Sequence, residues 1–500
     1  TDVYNGSFTI PDLIFFLIAG GAFSSAFIPV FSEYIEKQRE EDAWRIFSVV
    51  ATIMGVVVAL FICLGEIYAH RLVLLTNPGF REIPGKVEAT VRLTRILLPA
   101  QICFFLGGLM MGTLQVKHRF LPVALGPVIY NLGIILGALF LAPRLGVAGL
   151  CWGAVAGAVI GNFALQWIMV KRCGGRYIRG CLRSYWNHPG VKQVGKLMLP
   201  VILGLALPQV STIIGKMFAS QLGNGPQSAL MNANKLMQVP LGVFATATAQ
   251  AIFPTMAAQA ARLEIGALRS TINYGLRSIL FLTIPSSVML FVLALPVVQL
   301  LLQTGKFSAE DARMAAAALR FFSVGLFAWS GHSIITRGFY ALKDSRTPVI
   351  VGTLVTAIFI PLNALVLRVM GTSPNHHEAA TAGLALVTSI AAAIHMTTML
   401  ILLRLRLKGI HAARLFISVT KILLAAAAGA ITCKLLRDFL ENWFASMGNV
   451  HVTAHALVTV VACLAAGGGV YAALTLAMKM DEASILRSVW RKLSPARLFA

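Results

Sequence analysis

Acid is scarce in this 500-residue chain. Nineteen Asp and Glu stand against 42 Lys and Arg, and none lies from Ala89 through Leu263. Carrying organic cations or coupling protons across a membrane calls for carboxylates inside it, so the gap argues against a cation-coupled drug antiporter. Charge of either sign is low as well. Only 12% of the residues are Asp, Glu, Lys or Arg, against about 25% in soluble domains. With a mean hydropathy of +0.79, water cannot solvate this chain on most of its sides. There is no GxxxxGK[ST] phosphate loop, and the longest cytoplasmic loop, 171–196, is too short for an ATPase domain. No nucleophile constellation stands out, so the chain reads as a non-enzyme that needs no cofactor. The seven cysteines are scattered. Cys173 and Cys181 share one loop with His188, too few ligands for zinc, so no metal is expected. The sequence starts without an initiator Met or a signal peptide.

What is present is apolar sequence in long runs. Thirteen stretches are long enough to cross roughly 30 Å of hydrocarbon: 12–30, 46–65, 96–115, 121–142, 147–170, 197–219, 229–253, 278–303, 318–341, 349–367, 383–403, 415–435 and 453–478. They are too long for strands, and Gly and Pro inside them are normal in lipid. The expected fold class is all-α, polytopic and membrane-embedded. A net charge of +23 invites a nucleic-acid reading, but its distribution argues otherwise. Of the 42 Lys and Arg, 26 lie in alternate loops and the tail, 11 in the opposite loops or at the span edge beside them (Lys434), and five deeper within spans. That bias places the richer loops and the C-terminus in the cytoplasm. No nucleic-acid partner is expected.

The chain also repeats itself. GTLQVKHRFLPV at 112–123 is echoed by GFYALKDSRTPV at 338–349, with Gly112/Gly338, Lys117/Lys343, Pro122/Pro348 and Val123/Val349 at an offset of 226 by subtraction. AFIP at Ala26–Pro29 answers AIFP at Ala251–Pro254, and AGL at Ala148–Leu150 answers AGL at Ala382–Leu384. Such a repeat predicts two pseudo-symmetric bundles with a substrate site between them. The expected division is an N-terminal lobe at 1–172 with five spans, a basic linker at 173–195, a six-span lobe at 196–408, and two further helices with a basic tail at 409–500. The odd span count is expected to reflect one N-terminal helix lying before residue 1, which would make fourteen. Phe15, Phe16 and Phe23 are the candidates for the flank it would cover.

Charges within spans are expensive and point to function. Here they are almost all basic, namely Lys216, Lys235, Arg320, Arg337 and Lys421, with Asp12 near the start of the first span. Lys216 and Lys235 stand on consecutive spans of one hairpin, so both amines can face one cavity. The competing reading for each is a side chain that lifts its amine to the interface. Arg337, Lys343, Asp344 and Pro348 form the second copy of the loop motif, where Arg337 binds lipid headgroups or fixes the turn. Pro11, Pro208 and Pro240 break spans and are candidate hinges. Each removes a backbone bond, and ordinary kinks are the alternative.

Several stretches resemble the MviN/MurJ family of lipid II flippases, within the multidrug/oligosaccharidyl-lipid/polysaccharide exporter superfamily. They are TDVYNGSFTIPDL…GGAFSSAFIPVFSEY at 1–34, NPGF at 77–80, RFLPVALGPVIYN at 119–131, the 216–254 stretch beginning KMFASQLGNG, QTGKFSAED at 303–311 and RGFYALKDSRTPV at 337–349. The resemblance implies fourteen helices, two six-helix lobes plus two C-terminal helices bordering a groove for a lipid tail. It implies a cationic central cavity for a pyrophosphate-sugar headgroup. Lys235 stands where many members carry Arg, Asp2 matches the acid of a TDA motif, and Asn234 and Gln238 stand where some members carry acids. Thr9, Phe15 and Phe16 occupy places that are basic in many members. The implied headgroup set is Lys235, Lys216, Asp2, Asn234 and Gln238. The implied activity is lipid II flipping by alternating access in the bacterial cytoplasmic membrane. The implied partners are lipid II or a related polyprenyl-pyrophosphate glycolipid, membrane lipids and cell-wall synthesis proteins. The rival readings are an exporter of another lipid-linked oligosaccharide, the drug antiporter above, and a non-transporting envelope scaffold.

Overall fold

The computed structural model describes residues 1–16, 22–180, 185–305, 307–371, 377–447 and 451–484, with the side chains of 22–25, 199–208 and 447 outside the description. Among the described residues there are helices and turns and no strand. Eleven helices are long and apolar enough to cross a membrane. The sequence led us to expect thirteen. The two that are not among the eleven, 12–30 and 197–219, both contain residues outside the description. Phe15 is half-buried and meets Phe104 edge-on at 5.6 Å between ring centroids, while the side chain of Phe23 lies outside the description.

Packing divides the chain into Thr1–Gly223 and Asn224–Ala500. The repeat had assigned span 197–219 to the second lobe. In the structure the helix carrying it, Pro189–Ser220, packs on Ala22–Glu36 and Glu40–Thr76 of the first unit. Backbone contact accounts for the close fit at its far end. A Cβ added to Gly79, in the NPGF stretch, would lie 2.1 Å from the Ser220 carbonyl oxygen, so only glycine fits there.

Within the first unit, Glu40–Thr76 runs for 37 residues, about 55 Å, and overshoots the hydrocarbon. Glu40, Glu41 and Asp42 fill its first turn, where carboxylates complement the helix dipole. Phe120–Leu136 and Val147–Gly157 meet backbone to backbone. A Cβ on Gly133 would fall 2.5 Å from the Gly153 oxygen, and one on Gly153 would fall 2.3 Å from the Gly133 oxygen. Small residues allow this approach, and dispersion between the bare backbones holds it. Gly153→Val is therefore expected to force the helices apart and cost at least about 1–3 kcal/mol. A thermal melt of the detergent-solubilised variant checks this, and an unchanged midpoint would contradict the close packing.

The linker is clasped to this unit. The Tyr185 phenol donates to Asp42, and Arg45 Nη1 donates to the same phenol at 3.1 Å. Tyr185 stacks on His188 with centroids 4.6 Å apart, and His188 Nδ1 accepts the Gly190 N–H at 3.2 Å, capping Pro189–Ser220. Cys181 lies outside the described residues, and His188 is committed to this cap. Burial holds the His188 imidazole below its ordinary value, against the pull of Asp42. A depressed histidine favours the fold fully above about pH 6.5. That contribution is lost as pH falls through the lowered value, where the cap acceptor becomes a donor. Asp42 is itself held low by the Tyr185 hydrogen bond, so it stays ionised over the same interval. Amide protection factors at residues 185–195, corrected for the intrinsic pH dependence of exchange, should therefore be lower at pH 5.5 than at pH 7.5, and a His188→Asn variant should lose that difference.

The two units carry the same turns. Gln38 and Leu263 have φ of 59° each, His118 and Lys343 57° and 58°. Each pair lies 225 residues apart by subtraction. The sequence alignment at 226 is thus one residue out of register with this turn, and His118 rather than Lys117 is the counterpart of Lys343. A third pair, Gly174 and Lys408, has φ of 80° and 54°, 234 residues apart like the AGL echo.

In the second unit, the two C-terminal helices Ala412–Met447 and Val452–Ala477 pack on each other and are tied to Ile265–Val292. Gly429 and Gly467 touch backbone to backbone where the pair crosses. Tyr471 donates to the Phe281 carbonyl at 2.6 Å, and Arg437 Nη1 to the Val292 carbonyl at 3.0 Å. At the opposite end Arg277, 8% exposed, pairs with Glu482, 1% exposed, and with Asp481 at 2.9 Å. Ser418 Oγ also donates to Glu482 at 2.6 Å.

Candidate functional site

The first unit gathers polar side chains around its N-terminal helices. Asp2 opens Asp2–Ser7 and is buried. Its Oδ2 lies 3.4 Å from Lys86 Nζ, and the two side chains are 6% and 4% exposed. Lys86 opens Lys86–Leu97, directly after Gly85 at φ 73°. Its ammonium also donates to the Gly223 carbonyl at 3.3 Å and sits 4.2 Å from the centroid of the buried Phe80 ring. The NPGF stretch thus supplies the glycine that admits Ser220 and the aromatic face under Lys86. Asp2, expected at the headgroup, is engaged by Lys86. The sequence reading counted Lys86 only among the 11 cations of the opposite loops. Burial of a loop lysine depends on Asp2, 84 residues away, and no local pattern reveals that.

Lys216 is half-buried on Pro189–Ser220, and its Nζ donates to Thr9 Oγ1 at 3.2 Å. A hydroxyl inside the unit holds this ammonium. Thr9 belongs to Thr9–Ile14, which contains the candidate hinge Pro11. Pro11 has no N–H for the Ser7 carbonyl one turn earlier. Thr94 Oγ1 of the neighbouring helix donates to that carbonyl instead, at 3.2 Å. The side chain of Pro208 lies outside the described residues.

In the second unit Lys235 stands exposed on Pro226–Pro240. No hydrogen bond or ion pair to Lys235 is found among the described residues. Asn234, one residue earlier, accepts a short hydrogen bond from Gln238 one turn on. Three polar positions are thus adjacent on the helix, and only Lys235 carries charge. Pro240 ends this helix and is followed directly by the π-helical segment Leu241–Thr246, the kind of interruption that marks hinges and sites. Leu236, one turn before Pro240, loses its usual partner there.

The loop motif builds a turn. Lys343 takes the left-handed conformation. Asp344 accepts from the Arg346 and Thr347 N–H groups at 3.1 and 3.0 Å and pairs with Arg406 at 2.9 Å. Burial raises the Asp344 carboxyl, but the Thr347 bonds and the Arg406 charge outweigh it and leave it below the ordinary range. Pro348 is buried in the first turn of Arg346–Met370, and Arg337 Nη1 donates to the Ser333 carbonyl at 3.0 Å. Among the described residues no group of three or more His, Cys, Asp and Glu is placed to hold a metal ion.

The family model of the lipid II flippase MurJ matches residues 1–451. The chain belongs to that family. The lipid II flippase MurJ of Burkholderia cenocepacia is 31% identical over 373 residues, 72% of each chain. A probable lipid II flippase MurJ of Rhizobium meliloti is 32% identical over 370 residues, 72% of this chain and 68% of that one. A solved structure of a lipid II flippase MurJ in an inward closed conformation superposes with a TM-score of 0.76 at 22% identity, covering 96% of this chain and 92% of that one. The architecture is therefore the family's: a multi-pass helical membrane protein whose members are transporters and not catalysts.

Proposed function

We propose that this protein moves lipid II, an undecaprenyl-pyrophosphate-linked peptidoglycan precursor, from the inner to the outer leaflet of the bacterial cytoplasmic membrane by alternating access. The observation that carries the reading is Lys235. It is an exposed ammonium on a membrane helix with no partner among the described residues. Facing hydrocarbon, it would cost about 2.5–3.5 kcal/mol. Facing a wet cavity, it offers a point charge and three donors to a diphosphate. Gln238 and Asn234 beside it suit the neutral oxygens of a sugar. Lys216 brings a second cation to Thr9, one of the positions where many family members carry a basic side chain.

In this mechanism the two lobes rock about the headgroup while the polyprenyl tail stays in lipid beside the helices of 409–500. Pro11 and Pro240 absorb the bending. Each lies where a helix is interrupted, and the Ser7–Thr94 bond shows how a freed carbonyl is kept satisfied. Asp2 acts through Lys86, fixing the outer end of the first helices. The Lys and Arg bias places the C-terminus in the cytoplasm. Membrane lipids surround the spans, and cell-wall synthesis proteins are the further partners.

The test is complementation. Expressed in a flippase-depleted bacterium, the full-length gene is expected to restore growth. Failure to do so, with rescue of a strain lacking an O-antigen precursor exporter, would replace lipid II by another lipid-linked oligosaccharide.

A further inference from the structure

Two histidines meet inside the second unit, and the transport reading uses neither. His332 lies on Ala309–Ala341 and His395 on His377–Arg406. Their ring centroids are 4.3 Å apart with planes tilted by 52°. His332 Nε2 is anchored to Thr336 Oγ1, 3.1 Å away and one turn on. His395 Nε2 is buried and has no hydrogen-bond partner. Its ring edge faces Gly352 of Arg346–Met370, where an added Cβ would lie 3.6 Å from Cε1 and 3.9 Å from Nε2. The pair therefore occupies the seam of three helices, with one nitrogen left unsatisfied. A buried polar atom without a partner is costly, and an ionisable side chain at membrane depth is a functional marker.

The depth of the pair follows from helix rise. His332 is nine residues before Ala341, Gly352 six after Arg346, and His395 eleven before Arg406. At the α-helical rise these are about 13, 9 and 16 Å from those ends. The three ends adjoin, since Asp344 of the intervening turn pairs with Arg406. The charge bias assigns this end to the cytoplasm, so the pair lies in the cytoplasmic half of the membrane.

The surroundings select the ligand. Two imidazoles on one tetrahedral metal ion put their ring centroids about 5 Å apart, given Zn–N bonds of about 2.0–2.1 Å, so these rings are too close to bracket one as they stand. A proton needs no such gap. The titratable groups on the packed helices are Glu310, Asp311, Arg313, Arg320, Arg337 and Tyr340 on Ala309–Ala341, Arg346 and Arg368 on Arg346–Met370, His377, Glu378, Arg404 and Arg406 on His377–Arg406, Arg269, Tyr274 and Arg277 on Ile265–Val292, and Lys235 on Pro226–Pro240, and the carboxylates among them lie at least 17 residues from the histidine of their own helix by subtraction. Among the described residues none of them makes a hydrogen bond or ion pair to either ring, and the titratable group in contact with His332 is His395. Two imidazolium charges at this separation repel strongly with no carboxylate to offset them, so the pair takes one proton and not two.

We propose that His332 and His395 form a single-proton site in the cytoplasmic half of the second unit, and that its occupancy is linked to transport. The proton comes from cytoplasmic water and adds to His395 Nε2, and the pair goes from neutral to +1. Because no counter-charge faces it, protonation opposes the packed seam seen here and favours an arrangement that admits water. The linkage rests on the transport reading, but the proton site does not.

The test uses full-length protein in lipid bilayers, with histidine-selective nitrogen NMR for the site and lipid II translocation in proteoliposomes for the linkage. One imidazole of the pair is expected to titrate in a single one-proton step between pH 4 and 9. The assignment comes from its loss in His395→Gln and its shift in His332→Asn, each first shown to melt like the wild type. The translocation rate is expected to change about tenfold per pH unit along one limb of the profile, and His395→Gln is expected to flatten it. Two silent rings, or stoichiometric zinc or copper that co-purifies and is lost in both variants, would overturn the proton site. A titration with an unaltered pH profile in His395→Gln would overturn the linkage. If wild-type protein moves no lipid II at any pH, the transport reading falls, and the NMR step decides the proton site alone.

Discussion

Lys235→Ala is expected to abolish complementation of a flippase-depleted bacterium, whereas Lys235→Arg preserves it. A charge-assisted hydrogen bond to a diphosphate is worth about 1.5–3 kcal/mol, roughly 10- to 150-fold in headgroup affinity. The ammonium has no protein partner to release among the described residues, so its removal breaks nothing in the fold. The melting midpoint of Lys235→Ala should therefore match the wild type, which separates a binding defect from misfolding. Arginine restores the charge, since phosphate accepts either cation. Full growth on stably expressed Lys235→Ala protein would refute the assigned role. Lys216→Ala is a graded companion. Its ammonium rests on Thr9, and its loss should weaken rather than abolish growth.

The second large effect is on stability. Arg277→Ala leaves Glu482, 1% exposed, with Ser418 as its remaining partner. Removing one member of a buried ion pair strands the other charge, at a cost of about 3–5 kcal/mol. The network joins the C-terminal helices to Ile265–Val292, so the loss should appear as early release of residues 412–484. Limited proteolysis during a thermal ramp would detect it. The double variant Arg277→Met, Glu482→Leu should recover most of the midpoint, because two apolar side chains remove both desolvation penalties. A single variant melting with the wild type would show that the latch carries little load.

Much of the fold was legible because hydrocarbon imposes it. A chain with 57% apolar residues and repeated runs of span length leaves few choices besides transmembrane helices. The turns were legible in part. The GFYALKD echo led to Lys343 and Asp344, but equal side chains are not equal backbone positions. The left-handed residue of the first copy is His118, one place on from Lys117. The division of the chain was the least legible. Pro189–Ser220 carries the hydropathy of any other span, and its packing on the first unit depends on Gly79, whose missing side chain admits Ser220. Charged contacts were also hidden. Lys86 and Asp2 are 84 residues apart, and Arg277 and Glu482 are 205 apart. Lys235 and Lys216 were found because they stand in apolar runs, where a cation is conspicuous.

The most direct measurement is translocation by the purified full-length protein in proteoliposomes loaded with fluorescent lipid II in the inner leaflet. The expected result is transfer to the outer leaflet, absent with Lys235→Ala and retained with Lys235→Arg. Equal leaflet transfer by wild-type protein and by protein-free vesicles, or a Lys235→Ala rate equal to the wild type, would contradict a flippase that holds its substrate by this cation.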